Sequence, residues 1–151
     1  MKLSARTRYA TRLLLDLALH DDNTPRRASM LSESTGVTVQ FIEQILKPLK
    51  KEGIVTSVRG ATGGHLLAVS PKELTLGRIV RVMEGGIHMT ECSRDDSACE
   101  RSHDCKTRLV WMRISKVMEE ELESITLAEL MHDSSMLGPP HEAKRQLDNL
   151  S

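Results

Sequence analysis

Three features of this sequence predict a mostly α-helical fold carrying one small β-hairpin. Two short capped helices are separated by a glycine, a glycine-rich turn between β-branched segments follows them at once, and a long amphipathic helix lies near the end. At 151 residues the chain has room for one domain plus an appended helix. With 39% apolar and 28% charged residues it can build a core and has an ordinary globular composition. The longest apolar run, residues 13–19, is broken by Asp16, whereas a bilayer-spanning helix needs about 20 apolar residues. No membrane span is expected. The opening MKLSARTRY is polar and basic where a secretory signal would be continuously apolar, so the expected location is cytoplasmic.

Ser4 is a suitable cap for a first helix in which Tyr9, Leu13 and Leu17 recur every four residues. That helix should end near His20, ahead of the turn-forming residues 21–25. A second helix over about 27–35 stops at Gly36, which tolerates the left-handed backbone that ends helices. Thr38 then caps a third helix to about Glu52, with Gly53 behind it. Pro48 is expected to bend this helix, because its ring crowds the Gln44 carbonyl and it has no N–H to give. Two short helices joined by a short glycine-containing turn form a helix-turn-helix.

Side-chain spacing strengthens that reading. Leu31, Val37, Ile42 and Ile45 supply apolar contacts for the crossing pair, and Ser32 is small at the point of close approach. Gln40, Glu43, Gln44 and Lys47 fall at i, i+3, i+4 and i+7 on the third helix, opposite Phe41, Ile42, Ile45 and Leu49. A long-armed polar stripe beginning in the first turn is what a recognition helix lays into the major groove. Gln40 and Gln44 suit adenine edges, Glu43 suits cytosine, and Lys50 and Lys51 suit phosphates.

After Gly53 the period turns from helical to alternating. Residues 54–59 and 65–69 read as two strands around the turn Gly60-Ala61-Thr62-Gly63-Gly64. A hairpin directly behind a recognition helix is the wing of a winged helix-turn-helix, and Arg59 at its shoulder is placed for a phosphate or the minor groove. A fourth helix, capped by Thr75, carries Leu76, Ile79, Val80 and Met83 to Gly85-Gly86. From about Thr107 a long helix carries Val110, Ile114, Val117 and Leu122, and a brief helix capped by Thr126 follows. About 17 residues of helix span about 26 Å, long for so small a body, and such a helix most simply packs on its twin in a homodimer. Residues 133–151, with Gly138-Pro139-Pro140 and few apolar side chains, are expected to be a disordered tail.

The net charge of zero conceals a split. Residues 1–60 hold ten Lys and Arg against six Asp and Glu, while 91–132 hold six against ten. A basic front half suits a polyanion. No nucleophile-base pair or acid-base carboxylate pair stands out, so no enzymatic activity is expected.

The three cysteines, Cys92, Cys99 and Cys105, are spaced C-x6-C-x5-C in one polar loop. An odd number cannot close a disulfide framework, and cysteines without apolar neighbours ask for a ligand. Thiolates favour zinc or iron-sulfur clusters, yet the C-x2-C pair usual in structural zinc sites is absent. Thiol oxidation is the other reading of the same residues.

Several stretches together resemble the Rrf family of bacterial winged-helix transcription regulators: MKLSARTRYA, FIEQILKPLKKEGIV, SVRGATGGHLL, LTLGRIV, the three-cysteine loop and ITLAEL. The resemblance extends over about residues 1–132. It implies a homodimer on double-stranded DNA with a pseudo-palindromic site, and an iron-sulfur cluster, 2Fe-2S or 4Fe-4S, on Cys92, Cys99 and Cys105 that alters DNA binding with redox, nitric oxide or iron-sulfur status. It also places Thr38, Val39, Gln40, Phe41, Glu43, Gln44 and Arg59 on DNA. The implied organisation is a winged domain over 1–86, a cluster-binding loop over 87–106, a dimerisation helix with its short successor over 107–132, and the tail. Two departures concern the fourth ligand. The family's cluster-assembly regulators have a histidine where Arg108 stands, and its nitric-oxide-sensing repressors use an N-terminal aspartate where Arg8 stands. His103 is a local substitute, His88 a remoter one, and a water or a small thiol would also serve. The competing readings are a winged-helix regulator using thiol oxidation or zinc, and an iron-sulfur electron carrier or cluster donor.

Overall fold

The computed structural model describes residues 2–20 and 22–132, and the tail expected over 133–151 lies outside the described residues. Helix α1 spans Ala5–Leu19, and its Ser4 cap accepts from the Thr7 N–H at 3.2 Å. Ala10, Leu13, Leu14, Leu17 and Ala18 are buried at the i, i+3, i+4, i+7, i+8 spacing of a core-facing stripe. Helix α2 spans Ala28–Thr35 and ends on Gly36 at φ 71°, the left-handed conformation anticipated for the turn. Helix α3, Val39–Lys51, begins as expected at Thr38, whose side chain accepts from the Phe41 N–H at 3.3 Å. Pro48 does not end α3. It lies in the last turn, where the missing donor forfeits only the bond to the Gln44 carbonyl.

Strands β1, Val55–Val58, and β2, Gly64–Leu67, pair antiparallel with Val55 opposite Leu67 and Val58 opposite Gly64. The hairpin is fastened to the body rather than left as a free flap. Arg26 and His65 exchange backbone hydrogen bonds of 3.0 and 2.8 Å, which brings the chain before α2 against β2. A Cβ on Gly64 would lie 2.6 Å from the Arg26 carbonyl carbon, so only glycine permits that approach. The Arg27 guanidinium donates to the Ala61 carbonyl in the turn, and Arg26 Nε pairs with Asp16 of α1 at 3.0 Å. Fully buried Ile54, with Val55 just behind it, anchors the hairpin root in the core.

Helix α4, Leu76–Glu84, is capped by Thr75 and stops on Gly85. The segment expected to be plain loop contains a four-residue helix α5, Glu91–Arg94, and a 3₁₀ turn at Asp96–Ala98. Helix α6, Lys106–Ser124, is 19 residues, hence about 28 Å long. Helix α7, Leu127–Met131, is capped by Thr126. The chain entering α7 runs beside that entering α4: the Leu76 N–H donates to the Ile125 carbonyl at 2.9 Å and the Leu127 N–H to the Leu74 carbonyl at 2.7 Å. Leu127 is thereby fully buried in the same core as α1 and α3. Along α6 itself only Ser115 is buried, while Leu109, Val110, Trp111, Met112 and Val117 stay exposed. Among the described residues no helix is long and apolar enough to cross a membrane.

Candidate functional site

The outer face of α3 is built by default from its inner one. Burying Ile42, Ile45, Leu46 and Leu49 turns Gln40, Glu43, Gln44 and Lys47 outward, all exposed, with Thr38 and Val39 exposed at the leading end. Phe41 stands apart from that row. It is half-buried, its ring meeting Tyr9 edge-on at 5.8 Å and 88°, and so ties the start of α3 to α1. Arg12 and Arg8 lie 5.5 and 6.0 Å from the Tyr9 ring centroid, which sets two cations beside the same corner. Lys50 and Lys51 occupy the last turn of α3, where they also complement the helix dipole. Arg59 is exposed one residue past β1.

Behind this face sits His65, buried on β2 with Nδ1 3.3 Å from the Ser57 hydroxyl. Burial holds its imidazole below the ordinary histidine value; Glu43 pulls the other way and Lys50 pushes with burial. Nothing in the residue pattern marked His65, because alternation on a strand says only that one face is inward.

In the cysteine loop, Cys92 is the second residue of α5, Cys99 follows the 3₁₀ turn, and Cys105 is the cap residue of α6. All three are free thiols, Cys99 the most exposed. Cys92 Sγ lies 3.2 Å from the Thr90 hydroxyl and Cys105 Sγ 3.1 Å from the Thr107 hydroxyl. The Thr107 hydroxyl, and after it the Arg108 N–H at the start of α6, hold the Cys105 thiol below its usual value and favour the thiolate. Among the described residues no three His, Cys, Asp or Glu side chains converge as a ready metal-binding group. His103 and His88 are both exposed, and the His88 ring folds over Gly86.

The residue that organises the loop is Arg108, which stands where the resemblance leads one to expect a histidine. Its Nε donates to the Cys92 carbonyl at 2.7 Å, its Nη1 to the Ser102 carbonyl at 3.4 Å, and its Nη2 pairs with the Asp96 carboxylate. One guanidinium thus gathers α5, the 3₁₀ turn and the segment before Cys105 onto the first turn of α6. Its side chain is only 14% exposed.

Helix α6 is in turn locked to α4. Thr75 Oγ1 donates to Glu123 Oε2 at 2.7 Å, Arg81 Nη1 pairs with Glu119 at 3.1 Å, and Arg81 Nη2 pairs with Glu123. Gly77 makes room for that carboxylate, since a Cβ there would lie 2.6 Å from Glu123 Oε1. Midway along α6, Ser115 Oγ accepts from the Met89 N–H at 2.8 Å. These contacts run from the loop through α6 to the helix next to the recognition unit.

A glycine-turned helix pair with a polar outward face, followed directly by a fastened hairpin, defines a winged helix-turn-helix DNA-binding protein. The family model described as Rrf2, iron-dependent transcriptional regulator, matches residues 3–133. The protein rrf2 of Nitratidesulfovibrio vulgaris is 36% identical over 136 residues, 90% of this chain and 91% of that one. The solved structure of T. potens IscR superimposes with a TM-score of 0.72 at 30% identity, covering 95% of this chain and 96% of its own. That of CymR, the global cysteine regulator of B. subtilis, gives 0.71 at 31% identity, covering 87% and 96%. The chain belongs to the Rrf2 family of transcriptional regulators, as the sequence resemblance implied.

Proposed function

We propose that this chain is a homodimeric regulator that binds a pseudo-palindromic site in double-stranded DNA with an affinity set by its cysteine loop, where Cys92, Cys99 and Cys105 hold an iron-sulfur cluster, 2Fe-2S or 4Fe-4S. The observation that carries this reading is the contact chain just described. The loop's three segments converge on Arg108 at the head of α6, and α6 is joined to α4 through Glu119 and Glu123. The donor types suit such a group, three soft thiols in a polar loop with the Cys105 thiol held below its usual value, and its loading would draw together sulfurs that the protein alone leaves apart. When bound, the cluster supplies a crosslink between loop segments that oxidants, nitric oxide or iron shortage remove. The protein's own part is to transmit that constraint along α6.

On DNA, Gln40 and Gln44 read adenine edges, Glu43 accepts from cytosine, and Val39 offers an apolar contact to a thymine methyl. Thr38, Lys47, Lys50 and Lys51 hold phosphates, Arg59 reaches the phosphate or minor groove beyond the wing, and Phe41 sets the angle of α3 through Tyr9. The exposed Val110, Trp111 and Val117 of α6, and the groove of about 490 Å³ lined by Leu3, Met89, Met118 and Leu122, are covered by the second copy. Dimerisation then fixes the separation of two recognition helices, which must match half-sites about 34–36 Å apart. Anaerobic native mass spectrometry of the purified protein tests the reading: a dimer carrying iron and sulfide is expected, and a metal-free or zinc-only chain would contradict it.

A second reading, regulation by thiol oxidation, draws on two observations. The Thr107 hydroxyl holds the Cys105 thiol below its usual value, toward the reactive thiolate, and the three sulfurs are not brought together as a ready ligand set. Under that reading peroxide alters DNA affinity in protein that contains no iron.

A further inference from the structure

Asp16 is the one charge inside the apolar run of α1, and its place there is unfavourable twice over. It lies beside the buried Leu13, Leu14 and Leu17, and in the last turn of the helix, where the carbonyl ends repel an anion. What it meets is Arg26: Asp16 Oδ2 and Arg26 Nε are 3.0 Å apart, and the two side chains are only 12% and 14% exposed. Neither contacting atom is open to solvent or has a hydrogen bond elsewhere among the described residues, so the pair is self-contained. A buried ion pair adds little net stability over an apolar pair of similar volume, but its length and direction are fixed, which suits it to setting a position.

The position it sets is that of the wing. Arg26 lies ahead of α2 in a single bridge, and its main chain exchanges two hydrogen bonds with His65 of β2. One residue is thus held by its side chain to α1 and by its backbone to the wing. Gly64, next to His65, packs on the Arg26 backbone with no room for a side chain, and pairs across the hairpin with Val58. Arg59 follows Val58 directly and is exposed. Each link from the Asp16 carboxylate to Arg59 is therefore a direct contact or a peptide bond. The Arg27 guanidinium adds an exposed hold on the turn at Ala61, and the buried hold is the one at Asp16.

We propose that Asp16 is a positioning residue for DNA binding: acting through Arg26, it fixes the wing so that Arg59 meets the duplex. This rests on the placing of Arg59 on DNA above. With the pair removed the hairpin stays folded, since Ile54 and Val55 still root it in the core, but Arg59 is spread over a range of positions and its contact weakens.

The pair is replaced whole, because removing one partner alone strands a buried charge. Three full-length proteins are made, each with and without Arg59→Ala: wild type, Asp16→Leu with Arg26→Leu, and Asp16→Ala with Arg26→Met as a smaller substitute where two leucines do not fit. Affinity is measured over a range of salt concentrations on a duplex that wild type selects from a random-sequence library, beside the melting temperature of each free protein. Arg59→Ala weakens binding about 10-fold, the order of one charge-assisted contact, and lowers the salt slope by about one unit. The pair replacements melt close to wild type and bind about 3- to 10-fold more weakly, up to the whole contribution of Arg59. In the Arg59→Ala background they lose no more, because the contact they position is already gone. Replacements that bind as wild type does would overturn the inference and leave Arg59 on DNA. An equal loss with and without Arg59 would overturn it as well, by showing a role in the fold and not in the wing's contact, and so would two replacements that both fail to fold. Arg59→Ala that binds as tightly as wild type would instead overturn the placing of Arg59 itself, and the inference with it.

Discussion

The winged half and the cysteine loop are held together by different forces. From α1 to β2 the structure rests on buried aliphatic side chains, with Leu13, Leu14, Ile42, Ile45, Leu46 and Leu49 all essentially inaccessible. Between Glu91 and Cys105 no apolar residue is buried, and the segment hangs on Arg108, a few caps and short turns. Hydrophobic burial is non-directional and summed over many atoms, so the winged half tolerates changes in solution conditions. A few polar contacts to one guanidinium can be exchanged for others at small net cost, which suits a segment that must respond to a ligand. A rigid reader and an adjustable sensor are thus built from one short chain.

The largest effect should come from emptying the core on the reader side. Ile45→Ala is expected to cost about 2–5 kcal/mol of stability, measured by urea unfolding, whereas Arg108→Ala should leave the global midpoint nearly unchanged and raise amide exchange across 91–105. Equal midpoint losses for the two would erase the contrast between the regions.

A smaller effect belongs to the face of α3. Glu43→Ala should cost about 1–3 kcal/mol of discrimination at one base position and broaden the sequences recovered in a binding-site selection. Unchanged preference would remove Glu43 from the reading surface. Lys50→Ala should weaken binding to all sequences alike and lower the salt slope by about one unit.

Legibility followed the same division. Thr38, Gly36 and the glycine-rich turn announce themselves locally, through a cap, a left-handed glycine and a glycine cluster; the structure places the first two where they were expected and shortens the turn by one residue, Gly64 opening β2. Helix α5 was missed because four residues are too few to show a period. Arg108 was missed as an organising group because its role depends on the Cys92 carbonyl, sixteen residues back, and Ser102 as a buried one because irregular turns have no period, and no spacing rule encodes either. The brief helix after Thr126 was legible, but not that Leu127 returns to the core beside α1, since that follows from the paired entries to α4 and α7.

The smallest expected effect tests how α4 is fastened to α1. Burial raises the Glu84 carboxyl, but hydrogen bonds from the Thr7 hydroxyl and from Ser4 outweigh it and hold the group below its usual 4.5. A carboxylate depressed in the folded state contributes stability above its unfolded value, and that contribution is lost as pH falls through the folded one. Melting temperature should therefore decline on acidification below about pH 4.5 more steeply for wild type than for Glu84→Gln. Parallel curves would assign the acid sensitivity elsewhere.

The central claim, that the state of the loop is felt at the recognition helices, is tested most directly by titrating one operator duplex with iron-loaded and metal-free protein, each shown to be folded and dimeric. The account predicts dissociation constants differing by about 5- to 150-fold, a coupling of about 1–3 kcal/mol, and predicts that Arg81→Ala, by cutting the tie between α4 and α6, shrinks the difference. Identical affinities for the two wild-type forms would contradict it.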